Sequence, residues 1–128
     1  MRLLLDTHAF LWWLVGSDRL PVVARHAIGD EANEKLVSAA SAWEIVTKHH
    51  LGKLPDAGKL ADDVTGAIAG EGFEDLPITV EHAARAGALP GPHRDPFDRM
   101  LIAQALARNL VLVSNETLFD RYGVRRIW

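Results

Sequence analysis

Residues 2–8 read RLLLDTH, in which three consecutive leucines are followed directly by an acid, Asp6. A continuous apolar run of this length predicts a short strand, Arg2 to Leu5, in a parallel sheet that is covered on both faces. The next segment, Thr7 to Val15, is rich in Phe, Leu and Trp and predicts a helix that stops at Gly16. The chain is therefore expected to open with a buried strand and a helix.

The rest of the chain continues this alternation of strands and helices. Four more strands are predicted at Leu36–Ala39, within Phe73–Thr79, at Leu110–Val113 and at Val124–Trp128. The remaining helices are predicted to begin at Pro21 and to cover Ser41 to about Leu51, Asp56–Ala69, Val80–Leu89, and Asp95-Pro96 to about Asn109. Such alternation predicts one α/β domain over residues 1–128, with a central, mainly parallel sheet flanked by helices.

Length, charge and cysteine content narrow the function classes. A chain of 128 residues is expected to form one domain. Its net charge of −3 argues against a general nucleic-acid coat protein, which would be basic, but allows an enzyme that binds RNA through a local patch and a metal. The absence of cysteine excludes disulfides and zinc–thiolate sites. Without a signal peptide or a membrane-spanning segment, the chain is expected in the cytoplasm.

Acidic residues follow several predicted strands, at the positions where parallel α/β sheets bind ligands. These acids are Asp6 after the first strand, Glu44 after the second, Asp95 and Asp98 at the start of the helix before the fourth, and Glu116 after the fourth. Carboxylates that converge repel one another, and a cation removes this repulsion. Because their oxygens suit hard ions, the sequence predicts a Mg²⁺ or Mn²⁺ site.

Most of these acids, taken alone, also have a purely structural interpretation. Asp6 could cap the helix that follows it. The sequence Ser41-Ala-Trp-Glu44 fits a capping box, and Glu44 has Lys48 four residues later as a helical ion-pair partner. Asp95 precedes a proline and fits an N-cap. Both interpretations stay open for these residues.

Asp98 is different, because its predicted helix places it on an apolar face. Phe97, Leu101, Ile102 and Ala105 share that arc of the helix. A carboxylate on an apolar face is costly unless a charged group meets it. Asp98 is therefore the acid with the strongest claim to a functional role.

Four motifs in the chain resemble those of PIN-domain proteins, specifically the VapC-type toxins of bacterial toxin–antitoxin modules. They are LLLDTHAFLW at 3–12, SAWEI at 41–45 with Lys48 and GKL at 52–54 behind it, HRDPFDRMLIAQA at 93–105, and LVSNE at 112–116. Phe119, Tyr122-Gly-Val and Ile127-Trp resemble the C-terminal end of the same family. The motifs occur in the family's order and extend over the whole chain.

The resemblance implies the function of the whole chain. It implies a PIN fold with an acidic pocket, and a toxin that uses Mg²⁺ or Mn²⁺ to hydrolyse RNA phosphodiester bonds, in tRNA or another structured RNA, by metal-activated water. It also implies a homodimer and a cognate VapB-type antitoxin that blocks the site.

A phosphatase with an aspartyl nucleophile is disfavoured, since position 8 is His where that class needs an acid. A catalytically weak or inactive PIN-type module that binds an antitoxin remains open.

The resemblance also assigns roles to individual residues. Asp6, Glu44 and Asp98 match the family's core catalytic and metal-binding acids, and Asp95 matches a further acid. Glu116 stands where the family usually has Asp, and could ligate through water or bind a second metal. Thr7 and Ser114 match supporting hydroxyl positions, and the candidates for RNA contacts are Lys48, Arg94 and Arg99.

Overall fold

The computed structural model of the chain describes residues 1–91 and 93–128. The strands are β1 Arg2–Leu5, β2 Glu34–Ser38, β3 Glu74–Leu76, β4 Val111–Val113 and β5 Arg126–Ile127. The α-helices are α1 Thr7–Val15, α2 Val22–Gly29, α3 Ala39–His50, α4 Gly58–Asp62, α5 Val64–Gly70, α6 Val80–Ala88 and α7 Pro96–Arg108. No helix in the described ranges is long and apolar enough to cross a membrane.

All strand pairings in the sheet are parallel, which confirms the predicted α/β architecture. The strand order is β3-β2-β1-β4-β5, so β1 lies at the centre. Leu4 pairs with Leu36 of β2 on one side and with Leu112 of β4 on the other. The chain first builds the sheet outward from β1 through β2 and β3, and then crosses back to add β4 and β5. Parallel sheets bind ligands where the strand order reverses in this way, here at the carboxyl ends of β1 and β4.

The three leucines of β1 divide between the two faces of the sheet. Leu3 and Leu5 pack into one core cluster with Phe10 of α1, whereas Leu4 packs into the other with Ile102 of α7. All three leucines have no solvent exposure. Burying one leucine side chain stabilises a fold by about 2 kcal/mol, so β1 anchors both layers of helices.

The structure confirms the predicted bounds of β1 and α1. Asp6 is the N-cap of α1, and its Oδ1 accepts a hydrogen bond from the Ala9 N–H at 2.8 Å. Gly16 ends the helix with a φ of 63°, in the left-handed region that glycine adopts without strain. The first acid of the predicted site is therefore fixed by a strand on one side and a helix on the other.

The predicted capping box at the start of α3 is wrong. The helix begins at Ala39, and its N-cap is Ser38, whose Oγ accepts from the Ala40 N–H at 3.0 Å. Glu44 consequently lies beyond the first turn and cannot reach the helix N-cap. The physical reason is that β2 ends at Ser38, so an earlier serine caps the helix and leaves Ser41 inside it.

One further prediction for local structure needs correction, and two short 3₁₀ helices were not predicted. The helix predicted for Asp56–Ala69 is broken at Asp63, because the Asp63 Oδ1 accepts from the Gly66 N–H at 2.8 Å and starts a new helix. The segment Thr117–Tyr122 forms a 3₁₀ helix that the sequence analysis did not predict. A second short 3₁₀ helix covers Pro55–Ala57.

Candidate active site

A polar cavity of about 310 Å³ lies at the carboxyl ends of β1 and β4. The structure brings all five predicted acids into its lining: Asp6, Glu44, Asp95, Asp98 and Glu116. Thr7, His8, Trp12, Lys48 and Asn115 complete the wall. The acids thus come from four separate stretches of the chain, and the parallel sheet is what collects them.

Asp6 occupies the floor of the cavity and is largely buried. Burial raises the pKa of the Asp6 carboxyl above its ordinary value, and the nearby Glu44 carboxylate adds to this rise. Hydrogen bonds from the Ser114 hydroxyl and the Ala9 N–H lower the pKa, as does the charge of His8. Since the burial effect is the largest, a cation next to Asp6 would relieve an electrostatic cost.

Glu44 is held in the cavity wall by two neighbours, one at each carboxylate oxygen. The Thr7 hydroxyl donates to Glu44 Oε1 at 2.6 Å and also lies 3.1 Å from the Ser41 hydroxyl. The Lys48 ammonium forms an ion pair with Glu44 Oε2, one helical turn further along α3. The helical pairing predicted for Glu44 and Lys48 is therefore present, and it lies inside the cavity.

Asp98 projects from the first turn of α7 and meets a histidine that the sequence analysis did not assign to it. Asp98 Oδ2 lies 2.8 Å from His93 Nε2. Burial, followed by the neighbouring Asp95 carboxylate, raises the pKa of Asp98 to about 6, while the contact with His93 lowers it. Asp95 is the N-cap of α7, since its Oδ1 accepts from the N–H groups of Phe97 and Asp98.

Glu116 lines the cavity beyond β4, and Ser114 lies buried directly after that strand. Glu116 Oε1 accepts from the Leu118 N–H at 3.0 Å and caps the 3₁₀ helix there. Ser114 is completely buried, and its hydroxyl accepts from the Glu116 N–H at 3.0 Å. The same hydroxyl lowers the pKa of the Asp6 carboxyl, so Ser114 at the end of β4 acts on the acid at the end of β1.

The donors of the cavity fit a hard divalent cation in chemistry, but not in their present orientation. Carboxylate oxygens are the ligands that Mg²⁺ and Mn²⁺ prefer, and burial leaves negative charge that a cation would neutralise. Within residues 1–91 and 93–128, however, no three Asp, Glu or His side chains are grouped closely enough to hold an ion. Asp98 is turned toward His93, and Glu44 toward Lys48. An ion would have to displace these partners.

Comparison with known protein families finds one, the PIN domain, whose pattern matches residues 3–125 of the chain. The chain belongs to the PIN-domain family. The resemblance noted in the four sequence motifs is thereby confirmed, and the acidic cavity lies within the matched part of this PIN domain.

Related proteins place the chain near the VapC group of PIN domains. Ribonuclease VapC22 of Mycobacterium tuberculosis is 32% identical over 116 residues, which cover 88% of this chain and 85% of the relative. The structure of VapBC2 from Rickettsia felis, bound to a DNA fragment from its promoter, superposes with a TM-score of 0.71 at 16% identity, covering 99% of this chain and 98% of that one. VapBC-1 from nontypeable Haemophilus influenzae gives 0.66 at 14% identity, with 99% and 97% covered. At these identities the two structures show a shared fold.

The three basic residues suggested for RNA binding occupy different positions in this PIN domain. Lys48 lines the cavity, and Arg94 is exposed in the segment before α7. Arg99 instead donates to the backbone carbonyls of Ala86, His93 and Leu89. The structure therefore gives Arg99 an anchoring role: it fastens the segment between α6 and α7, which carries His93.

His8 and Trp12 form the aromatic side of the cavity. Their ring centroids lie 5.5 Å apart, and His8 is exposed at the cavity wall. Trp12 also packs against Trp128, with 5.7 Å between ring centroids. His8 therefore packs against Trp12 at the cavity wall.

The anchoring contacts of Arg99 carry a prediction about stability. Arg99→Met keeps most of the side chain's volume but leaves several carbonyls without their charged donor. We expect the free energy of unfolding to fall by about 2 kcal/mol, because hydrogen bonds to a charged group are stronger than neutral ones. Urea unfolding measures the change, and Arg94→Met, at an exposed neighbouring position, serves as the control. A loss in Arg99→Met no larger than in the control would contradict the anchoring role.

Proposed function

We propose that this PIN domain is the toxin of a type II toxin–antitoxin module and hydrolyses RNA phosphodiester bonds with Mg²⁺ or Mn²⁺ as its cofactor. The observation that carries the proposal is the convergence of five carboxylates, from four separate stretches of the chain, on one cavity at the ends of β1 and β4. The relation to Ribonuclease VapC22 supports the choice of RNA as the substrate.

The chemistry follows from the residues around the cavity. Asp6, Glu44 and Asp98 would hold the metal, with Asp95 and Glu116 on the surrounding wall as further ligands, directly or through water. A divalent ion bound there would lower the pKa of a water molecule and stabilise negative charge on the phosphoryl oxygens. The Thr7 hydroxyl fixes the orientation of Glu44, and the buried Ser114 hydroxyl lowers the pKa of Asp6. Hydrolysis there would add water to phosphorus and break one P–O ester bond. A carboxylate of the cavity would accept the proton that the water loses, and the leaving oxygen would take up a proton from solvent.

The partners of the chain are also part of the proposal. We propose a VapB-type antitoxin that covers the acidic cavity, a homodimeric toxin, and tRNA or another structured RNA as the substrate in the cytoplasm. Similar folds have been solved as VapBC assemblies, which supports the antitoxin as a partner. Lys48 in the cavity wall and the exposed Arg94 before α7 are the basic residues that could contact the RNA backbone.

One observation favours a second candidate, a PIN module that binds an antitoxin without cutting RNA. Each of the five acids already has a partner within the protein: Asp6, Asp95 and Glu116 cap helices, Glu44 pairs with Lys48, and Asp98 pairs with His93. If these bonds never open, no metal binds. The two candidates therefore differ in whether the purified protein takes up Mn²⁺.

Sequencing of RNA ends after brief induced expression tests the proposal. Wild type is compared with Asp6→Asn, because an asparagine oxygen can still accept from the Ala9 N–H and preserve the helix cap. We expect a recurrent cut site in cells with wild type and none in cells with the variant. If purified wild type cuts no RNA with Mg²⁺ or Mn²⁺ but still binds its antitoxin, the non-catalytic candidate is correct.

A further inference from the structure

The ion pair between Lys48 and Glu44 is placed where a metal would have to bind. Lys48 follows Glu44 by one turn of α3, and both side chains line the acidic cavity. The Glu44 side chain is only 7% exposed and that of Lys48 is 34% exposed. The ammonium is thus the one end of the pair that can move into solvent-filled space.

A second helical ion pair in the same chain shows that this placement is unusual. Glu81 and Arg85 have the same four-residue spacing on α6, and their charged atoms lie 3.3 Å apart. Their side chains are 69% and 49% exposed, so this pair is an ordinary surface interaction. The Glu44 carboxylate, by contrast, is buried and faces other acids, and losing its cation would leave it uncompensated.

The two oxygens of Glu44 are both engaged, and this restricts how a metal could reach it. Thr7 donates to Oε1 within the buried wall, while Lys48 holds Oε2 on the cavity side. Because Glu44 is buried, it cannot turn to offer a different oxygen without losing the Thr7 bond. A metal that binds Glu44 from the cavity must therefore replace the Lys48 ammonium at Oε2.

We propose that Lys48 is a displaceable counter-cation, which neutralises Glu44 while the site is empty and contacts a scissile-phosphate oxygen once a metal has taken its place. This inference rests on the proposed function of the cavity. The lysine stem has four rotatable methylenes, so an ammonium released from Oε2 can remain within the same cavity. An RNA phosphate that enters the cavity would bring a negative charge that the released ammonium can meet, and this charge grows during hydrolysis.

The proposal predicts that one substitution moves metal affinity and catalysis in opposite directions. In Lys48→Met no ammonium competes with Mn²⁺ for Oε2, so we expect Mn²⁺ to bind roughly tenfold more tightly. A factor of about ten in the dissociation constant corresponds to the free energy of one hydrogen bond to a charged group. RNA cleavage at saturating Mn²⁺ should fall by about a hundredfold, since a donor to the developing charge is missing. Mn²⁺ affinity is measured by electron paramagnetic resonance on the full chain stripped of metal, and cleavage under single-turnover conditions.

Two further variants make the result decisive. Lys59→Met removes a positive charge from the exposed surface of α4, which does not line the acidic cavity, and its Mn²⁺ affinity should stay within about twofold of wild type. Lys48→Gln keeps a polar donor without the charge, and covers the case in which the methionine variant does not fold.

If wild type binds Mn²⁺ and both Lys48 variants bind it equally or more weakly, the inference is wrong. Tighter binding with unchanged cleavage would overturn the contact with phosphate. If wild type itself binds no Mn²⁺, the proposed function has failed instead.

Discussion

Asp98→Asn is expected to slow RNA cleavage by roughly a thousandfold and, at the same time, to stabilise the metal-free protein. The loss of activity follows if Asp98 is the metal ligand that we propose, because the variant removes its charge from the cavity. The gain in stability follows from the environment of the carboxyl, where burial and the Asp95 charge raise the pKa of Asp98 to about 6. At pH 7.5 the folded protein must ionise this group against that environment, whereas the unfolded chain ionises it freely.

The raised pKa of Asp98 also bounds the gain in stability that we expect for Asp98→Asn. Each pKa unit corresponds to about 1.4 kcal/mol, and Asp98 retains partial contact with solvent, so we expect a gain of roughly 1–2 kcal/mol at pH 7.5. Asparagine has nearly the same shape and can still hydrogen-bond to His93. Urea unfolding in EDTA measures the stability, and single-turnover cleavage of a defined RNA measures the activity.

Asp120 provides the matched control for this substitution. It is an exposed aspartate paired with Arg126, whose hydrogen bond lowers the pKa of Asp120. Asp120→Asn should therefore bring no gain in stability, and it should leave cleavage unchanged because Asp120 does not line the cavity. If Asp98→Asn were destabilising in EDTA, or retained wild-type cleavage, the role given to Asp98 would be wrong.

Local sequence signals were sufficient for the part of the fold that carries the first acid. Three leucines determine β1, an aspartate caps α1, and Gly16 ends it, and each signal acts within a few residues. The same holds for α7, where Asp95 and Pro96 mark the start of the helix. Since the ends of parallel strands meet at one edge, the convergence of the acids could also be inferred from their positions after β1, β2 and β4.

Competition between equivalent signals explains where the sequence analysis failed. Ser38 and Ser41 are both good helix caps, and only the sheet decides between them. Ser38 pairs with Leu76 of β3, so β2 continues to residue 38 and the helix must start there. This pairing joins residues far apart in the chain, and a pattern read along the sequence does not contain it.

The partners of the acids were the other part that sequence reasoning missed. The apolar face of α7 required that something charged meet Asp98, but it did not identify His93 as the partner. That contact depends on the position of His93, whose backbone carbonyl Arg99 binds together with those of Ala86 and Leu89. A histidine five residues before a functional aspartate is a weak signal unless the geometry of the intervening loop is known.

The raised pKa values of two acids in the cavity also predict how stability responds to pH. Asp6 and Asp98 both have pKa values above those of the unfolded chain, so the folded protein binds protons more tightly than the unfolded one. Their unfavourable contribution is complete above the folded pKa, declines as pH falls through that value, and vanishes only below the pKa of the unfolded chain. In EDTA, we expect the stability of wild type relative to Asp98→Asn to rise as pH falls from 7.5 to 5, through the value of about 6.

A bound metal should reverse this dependence. Mn²⁺ binds the ionised acids, so at one hundred times its dissociation constant it adds about 2.7 kcal/mol to stability at pH 7.5, and less at pH 5, where protons compete for the same oxygens. Unfolding in urea at pH 5, 6 and 7.5, with Mn²⁺ or EDTA, measures both effects on one protein. A stabilisation by Mn²⁺ that is equal at all three pH values would show that the ion binds elsewhere. If Mn²⁺ stabilises wild type only at high pH, and does not stabilise Asp98→Asn, the ionised acids of the cavity are the metal site. The two proteins differ only in the side chain of residue 98, so the lost stabilisation is due to that carboxylate.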